Sequence, residues 1–120
     1  MSVKTVLIVD DSQTSRKIIH SLMKDLYPDW QIHEAESGEE SIDMLAILTP
    51  DLVTMDMNMS GLDGLEAAKM IKEKLPETTV VLFTGNIQNV VRDRAAALGI
   101  GFVAKPVTLE SVQQVIDHLG

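Results

Sequence analysis

PDLVTMDMNMSGLDG spans Pro50 to Gly64 and holds, in order, one short apolar run, one isolated carboxylate and one loop. Leu52-Val53-Thr54-Met55 is long enough for one buried strand. Asp56 stands where that strand should end, and Ser60, Gly61, Asp63 and Gly64 are turn residues. In an open parallel sheet, ligands bind beyond the carboxyl ends of the strands, so Asp56 occupies a position where chemistry is commonly found. Taken alone, it is better explained as a cap on its loop. The rest of the chain reverses that preference.

On the N-terminal side, Val6 to Val9 form a continuous apolar run of the kind covered on both faces. Asp10-Asp11 end it, and Ser12 or Asp11 can cap the helix that follows. Ile18, Ile19, Leu22, Met23 and Leu26 recur there at helical spacing, and Tyr27-Pro28-Asp29 ends the helix. From Trp30 to Ala35, Trp30 and Ile32 alternate with Gln31 and His33, which predicts a strand at the sheet's edge. Ser37-Gly38-Glu39-Glu40 opens a second helix with acidic residues where the helix dipole favours them. Ile42, Leu45 and Ala46 give that helix an apolar face.

Beyond the central strand, Leu65, Ala68, Ile71 and Leu75 point inward from a helix that stops before Pro76. Val80-Val81-Leu82-Phe83 is a fourth buried run, closing in Thr84-Gly85-Asn86. Val91, Ala95 and Leu98 mark a helix ending at Gly99, and Ile100 to Ala104 make a fifth run before Lys105-Pro106. Leu109, Val112, Ile116 and Leu119 belong to a last helix, with His118 in its final turn. Five apolar runs alternating with five amphipathic helices predict an α/β domain with a parallel sheet, one domain over residues 1–120. Right-handed crossovers leave few topologies, among which periodicity does not choose.

Ten basic against eighteen acidic residues leave a formal charge of −8. A surface that acidic repels phosphate backbones and anionic lipid, so neither direct nucleic-acid binding nor membrane binding is expected. There is no cysteine, hence no disulfide frame and no thiolate chemistry, which suits a reducing compartment. The run Val6 to Val9 is too short for a signal peptide and ends in two aspartates.

The strand ends carry the functional signal. The first run ends in Asp10-Asp11, the third in Asp56, the fourth in Thr84 and the fifth in Lys105. In a parallel sheet these ends share one rim. Three carboxylates gathered there raise one another's pKa unless a proton or a cation enters. Oxygen-only ligands favour a hard ion such as Mg2+, with Mn2+ as an alternative, and magnesium commonly takes phosphate oxygens as well. Beside it, an ionised Asp56 can attack phosphorus, while Lys105 supplies fixed positive charge and Thr84 a hydroxyl donor.

VLIVDDS, PDLVTMDMNMSGLDG, LFTGN and VAKPVT, in that order and spacing, resemble the receiver domain of a bacterial two-component response regulator of the CheY type. The likeness covers the whole chain. It implies a doubly wound, flavodoxin-like sheet in the order 2-1-3-4-5. It implies phosphoryl transfer to Asp56 from a histidine kinase, with metal held by Asp11, Asp56 and the backbone carbonyl of Asn58, and by Asp10 through water. Thr84 and Phe102 would relay the change to a downstream protein at the face of the fourth helix, fifth strand and fifth helix. Lys105-Pro106 would be a cis peptide bond, and Asn58 and Asn86 would flank the path of hydrolytic water; for Asn86 a plain helix-start role explains the residue equally well. The implied protein is cytoplasmic and not an enzyme in the ordinary sense, catalysing only its own phosphoryl uptake and loss.

Three residues depart from the family's pattern. Ser60 replaces a usual proline, Gly85 a usual alanine, and Phe102 has no phenol. Val107 and a last helix without a basic end tilt the expectation toward a stand-alone, chemotaxis-like protein, with a piece of a longer regulator as the alternative. His20, His33 and His118 show no ligand spacing and read as surface or partly buried histidines. Met23 and Met55 read as core fillers, Met57 and Met59 as packing at the site's rim, and Glu34-Ala35-Glu36, with Glu39-Glu40, as a solvated acidic face. Two other functions remain open: a Mg2+-dependent phosphatase working through an aspartyl-phosphate, and an interaction module indifferent to phosphorylation. Against the first, Asn58 stands where such an enzyme would need an acid.

Overall fold

The computed structural model describes residues 2–120. Five strands, β1 (Thr5–Val9), β2 (Gln31–Ala35), β3 (Leu52–Met55), β4 (Thr79–Thr84) and β5 (Gly101–Ala104), alternate with five helices. The helices are α1 (Gln13–Leu26), α2 (Gly38–Met44), α3 (Gly64–Lys74), α4 (Asn89–Ala97) and α5 (Leu109–Asp117). All pairings are parallel and the order is β2-β1-β3-β4-β5. The expected fold class and strand order are both found.

Alternation along the strands divides the core into two layers. Leu7 and Val9 of β1, Val53 and Met55 of β3 and Val80 and Leu82 of β4 pack with Leu65, Ala68 and Ile71 of α3 and Val91 and Ala95 of α4. Val6, Ile8, Leu52, Val81 and Phe83 face the other way, against Ile19 and Met23 of α1 and Val112 and Val115 of α5. Because both faces are covered, the central strands read as unbroken apolar runs. β2 has a single neighbour and keeps its half-polar character at the edge.

The helix starts follow capping chemistry. Ser12 Oγ accepts from Ser15 N–H, Ser37 Oγ from Glu40 N–H and Asp63 Oδ1 from Glu66 N–H. Thr108 and Ser111 complete a reciprocal box at the start of α5.

Four residues expected to face inward do not. Ile18, Leu98 and Leu109 are exposed. Ile18 lies one residue off the Ile19–Met23 seam, Leu98 caps the end of α4, and Leu109 is the first residue of α5. Ala46 is also exposed. The N–H groups of Leu45, Ala46 and Ile47 bond three residues back, so the chain tightens after Met44 and α-helical spacing lapses.

Candidate functional site

The parallel ladder continues one residue beyond several strands, and those extra residues build the site. Asp10 N–H donates to Ala35 C=O (3.1 Å), Asp56 N–H to Val9 C=O (3.0 Å) and Lys105 N–H to Thr84 C=O (2.9 Å). Asp10, Asp56, Thr84 and Lys105 therefore stand side by side on the C-terminal rim. Asp10, Asp11 and Asp56 each present a carboxylate oxygen within 4.8 Å of the others'.

Asp10 is almost wholly buried (1 % exposed) and both its oxygens are engaged. Oδ1 accepts from Ser12 N–H (2.9 Å) and Oδ2 from the Lys105 ammonium (2.8 Å). Lys105 also stands 3.7 Å from Asp56 and 3.4 Å from Ser15 Oγ. Asp11 is exposed and forms no hydrogen bond or ion pair among the described residues.

Burial pushes the Asp56 carboxyl above the usual aspartate value, and the neighbouring Asp10 adds to the rise. The Thr84 hydroxyl, the Lys105 charge and the Asn58 N–H pull the other way and do not cancel it. Thr84 is fully buried, and its oxygen accepts from Asn86 N–H (3.1 Å), which leaves the hydroxyl proton available.

The loop after Asp56 turns back over it. Gly64 N–H bonds Met57 C=O (3.0 Å), and a Cβ on Gly64 would fall 2.0 Å from the Asp56 carbonyl oxygen. No other residue fits at that position. Across the site Asn86 Nδ2 donates to Asn58 Oδ1 at 3.3 Å. Phe102 is half-buried with the Arg92 guanidinium over its ring, 4.7 Å from the centroid. The Lys105-Pro106 peptide bond is cis.

Glu34 corrects one expectation. Of the expected solvated acidic face, Glu36, Glu39 and Glu40 are exposed, but Ala35 is in the core, and the Glu34 side chain, 15 % exposed, takes Arg16 (3.1 Å), Lys17 (3.2 Å) and His20 (2.8 Å). Burial alone would raise the Glu34 pKa; the hydrogen bonds from His20, Lys17 and Arg16 outweigh it and hold the carboxyl below its ordinary value. Arg16 reaches on to the site, donating to the Asp10 backbone carbonyl at 2.7 Å. Neither Arg16 nor Ser15 was singled out by the sequence reading. The available signal was position, since both lie in the first turn after the Asp10-Asp11 pair. His33 Nε2 is buried without a hydrogen-bond partner among the described residues.

Fold and rim together define a class: an open, doubly wound α/β domain with an all-oxygen acidic site at its strand ends. The response regulator receiver domain model matches residues 6–117, and the chain belongs to that family. It is thus the receiver domain of a signalling protein. Among curated relatives, chemotaxis protein CheY of Halobacterium salinarum is 34% identical over 118 residues, covering 97% of this chain and 96% of that protein. A protein-glutamate methylesterase/protein-glutamine glutaminase of Archaeoglobus fulgidus is 37% identical over 116 residues. That match covers 91% of this chain and 33% of the relative, so the chain spans about a third of its length. The structure of Vibrio cholerae CheY4 superposes with a TM-score of 0.89 at 21% identity, covering 99% of this chain and 100% of that one, a likeness of fold.

Proposed function

We propose that Asp56 is the phosphoryl acceptor and that residues 1–120 act as one receiver domain, loaded by a histidine kinase in the cytoplasm. The observation that carries this reading is the convergence of Asp10, Asp11 and Asp56 beside Lys105. The single ammonium is already engaged by Asp10, so the cluster retains surplus negative charge. Its donor set is all oxygen, which fits Mg2+ or Mn2+ held by Asp11, Asp56 and the Asn58 carbonyl, with Asp10 acting through water. Bound there, the ion would neutralise charge on the oxygens of the phosphoryl group in transit.

An oxygen of ionised Asp56 attacks phosphorus as the P–N bond of a phosphohistidine breaks. The imidazole leaves with the electron pair and takes up a proton. Lys105 pairs with one phosphoryl oxygen and the Thr84 hydroxyl donates to another. Thr84 then shifts toward the new group and Phe102 follows, altering the α4–β5–α5 face. Exposed Val90 of α4 and Leu109 of α5, with Ile87 in the loop just before α4, give a downstream protein apolar surface to bind. Asn58 and Asn86, bridged across the site, would tune the entry of hydrolytic water. The domain would catalyse its own phosphoryl uptake and loss and no external turnover.

The test is incubation with acetyl phosphate and Mg2+, read by intact mass. Wild type should gain one phosphate and Asp56→Asn none. No gain on wild type, or an equal gain on the variant, rejects the assignment.

A further inference from the structure

The loop from Met57 to Asp63 must hold the Asn58 carbonyl still if that group is to serve a cation, and its own sequence does little to help. Ser60 has no ring to fix φ, and Gly61 adds freedom. The loop is anchored at its base by the Gly64–Met57 hydrogen bond and at its far end by the Asp63 cap. Neither anchor reaches the middle.

The middle is held from outside. Glu39, in the first turn of α2, accepts the Leu62 N–H on Oε2 at 3.1 Å, across 23 positions of sequence. The same oxygen lies 2.6 Å from where a Cβ on Gly61 would stand, and Gly61 sits at φ +78. Gly61 is thus required by its backbone, and the Glu39 carboxylate is seated against it. Gly38, beside Glu39, also lies against the loop: a Cβ there would meet Leu62 C=O at 3.2 Å. An acid set near an already over-negative rim is electrostatically unfavourable, so its value lies in the hydrogen bond, where an ionised acceptor is stronger than a neutral one.

We propose that Glu39 is a positioning residue: it clasps the loop at Gly61-Leu62, supplying the rigidity that a proline at position 60 would otherwise provide, and so presets the Asn58 carbonyl for the metal. This rests on the metal site proposed above. A proline at position 60 would cost no hydrogen bond, because Ser60 N–H donates none among the described residues.

The test compares wild type, Glu39→Ala, Glu39→Gln and Glu39→Ala/Ser60→Pro. Two quantities are read: amide hydrogen exchange at Leu62 without metal, and Mg2+ affinity by calorimetry. Glu39→Ala should speed Leu62 exchange and weaken Mg2+ binding, each by about three- to tenfold, the range for one modest hydrogen bond. Glu39→Gln keeps an acceptor oxygen, neutral and so weaker, and should fall between wild type and Glu39→Ala. Adding Ser60→Pro should recover the Mg2+ affinity. Equal losses in Glu39→Gln and Glu39→Ala would overturn the clasp in favour of charge alone, and failure of the proline to restore affinity would overturn the substitution argument. Wild type that binds no Mg2+ sinks the metal site itself; wild type that binds it no better than Glu39→Ala sinks only the clasp.

Discussion

Lys105 is bound to Asp10 at 2.8 Å and stands off from Asp56 at 3.7 Å. Its charge thus compensates a buried carboxylate before it serves the acceptor. Lys105→Met should slow phosphoryl uptake by about 10²-fold, the scale of losing one fixed electrostatic donor. It should also lower stability by about 1–3 kcal/mol, because Asp10 loses its counterion. Rates from acetyl phosphate loading and a urea melt check both. A stability loss with an unchanged rate would leave Lys105 a purely structural role.

Asp56 should behave in the opposite sense. Burial and Asp10 raise its pKa, so the folded state binds its proton more tightly than the unfolded chain does. Ionised Asp56 therefore subtracts from stability once the pH passes the ordinary aspartate value. Asp56→Asn removes that charge and should match or exceed the wild-type Tm near neutral pH while losing phosphorylation. A clear drop in Tm would contradict the strain assigned to the cluster.

The metal should stabilise the fold by mass action. For wild type, Tm should climb with Mg2+ concentration, by about 2.7 kcal/mol of stability at a hundredfold excess over Kd. Asp11 is exposed and unpaired among the described residues, so Asp11→Ala should fold as well as wild type without metal and show no such climb. An undiminished climb would remove Asp11 from the ligand set.

Glu34 carries a pH dependence of stability. Its folded pKa is depressed, so its contribution is present above the ordinary glutamate value and is lost as pH falls through the lower, folded value. Glu34→Gln should cost about 1–3 kcal/mol near neutral pH, since Arg16, Lys17 and His20 all lose a charged acceptor. In urea melts the gap to wild type should narrow as the pH falls below the ordinary glutamate value. A gap that stays constant would mean packing, not charge, is responsible.

Gly85 is not required by its geometry. It is absent from the positive-φ glycines, and a Cβ there would meet nothing within 4 Å. Gly85→Ala should therefore stabilise by about 0.4–1 kcal/mol, through lower entropy of the unfolded chain. Thermal melts would reveal it, and a loss would point to a conformation only glycine reaches.

The strand ends were legible because the same feature that stops a buried apolar run, a polar side chain, is also the functional group. Asp10, Asp56, Thr84 and Lys105 each mark a boundary in the sequence and a place on the rim in space. Glu34 was misread for the converse reason. In an edge strand, half-polar alternation looks like solvation, and nothing local announces that Arg16, Lys17 and His20 will close over it from α1. Ala46 was misplaced because helical spacing was extended through a turn whose bonds run three residues back.

By itself the chain determined the α/β class, the number of elements and which residues end its strands. These follow from periodicity and from the cost of burying polar groups, both properties of short segments. Tertiary structure alone decided that Lys105 is taken first by Asp10, that Arg16 joins Glu34 to the site, and that Glu39 fastens the Asp56 loop. Each is a contact between segments far apart in sequence. Its geometry depends on crossovers and packing that no local pattern encodes, within distances of about 3 Å where electrostatic and hydrogen-bond energies change most steeply.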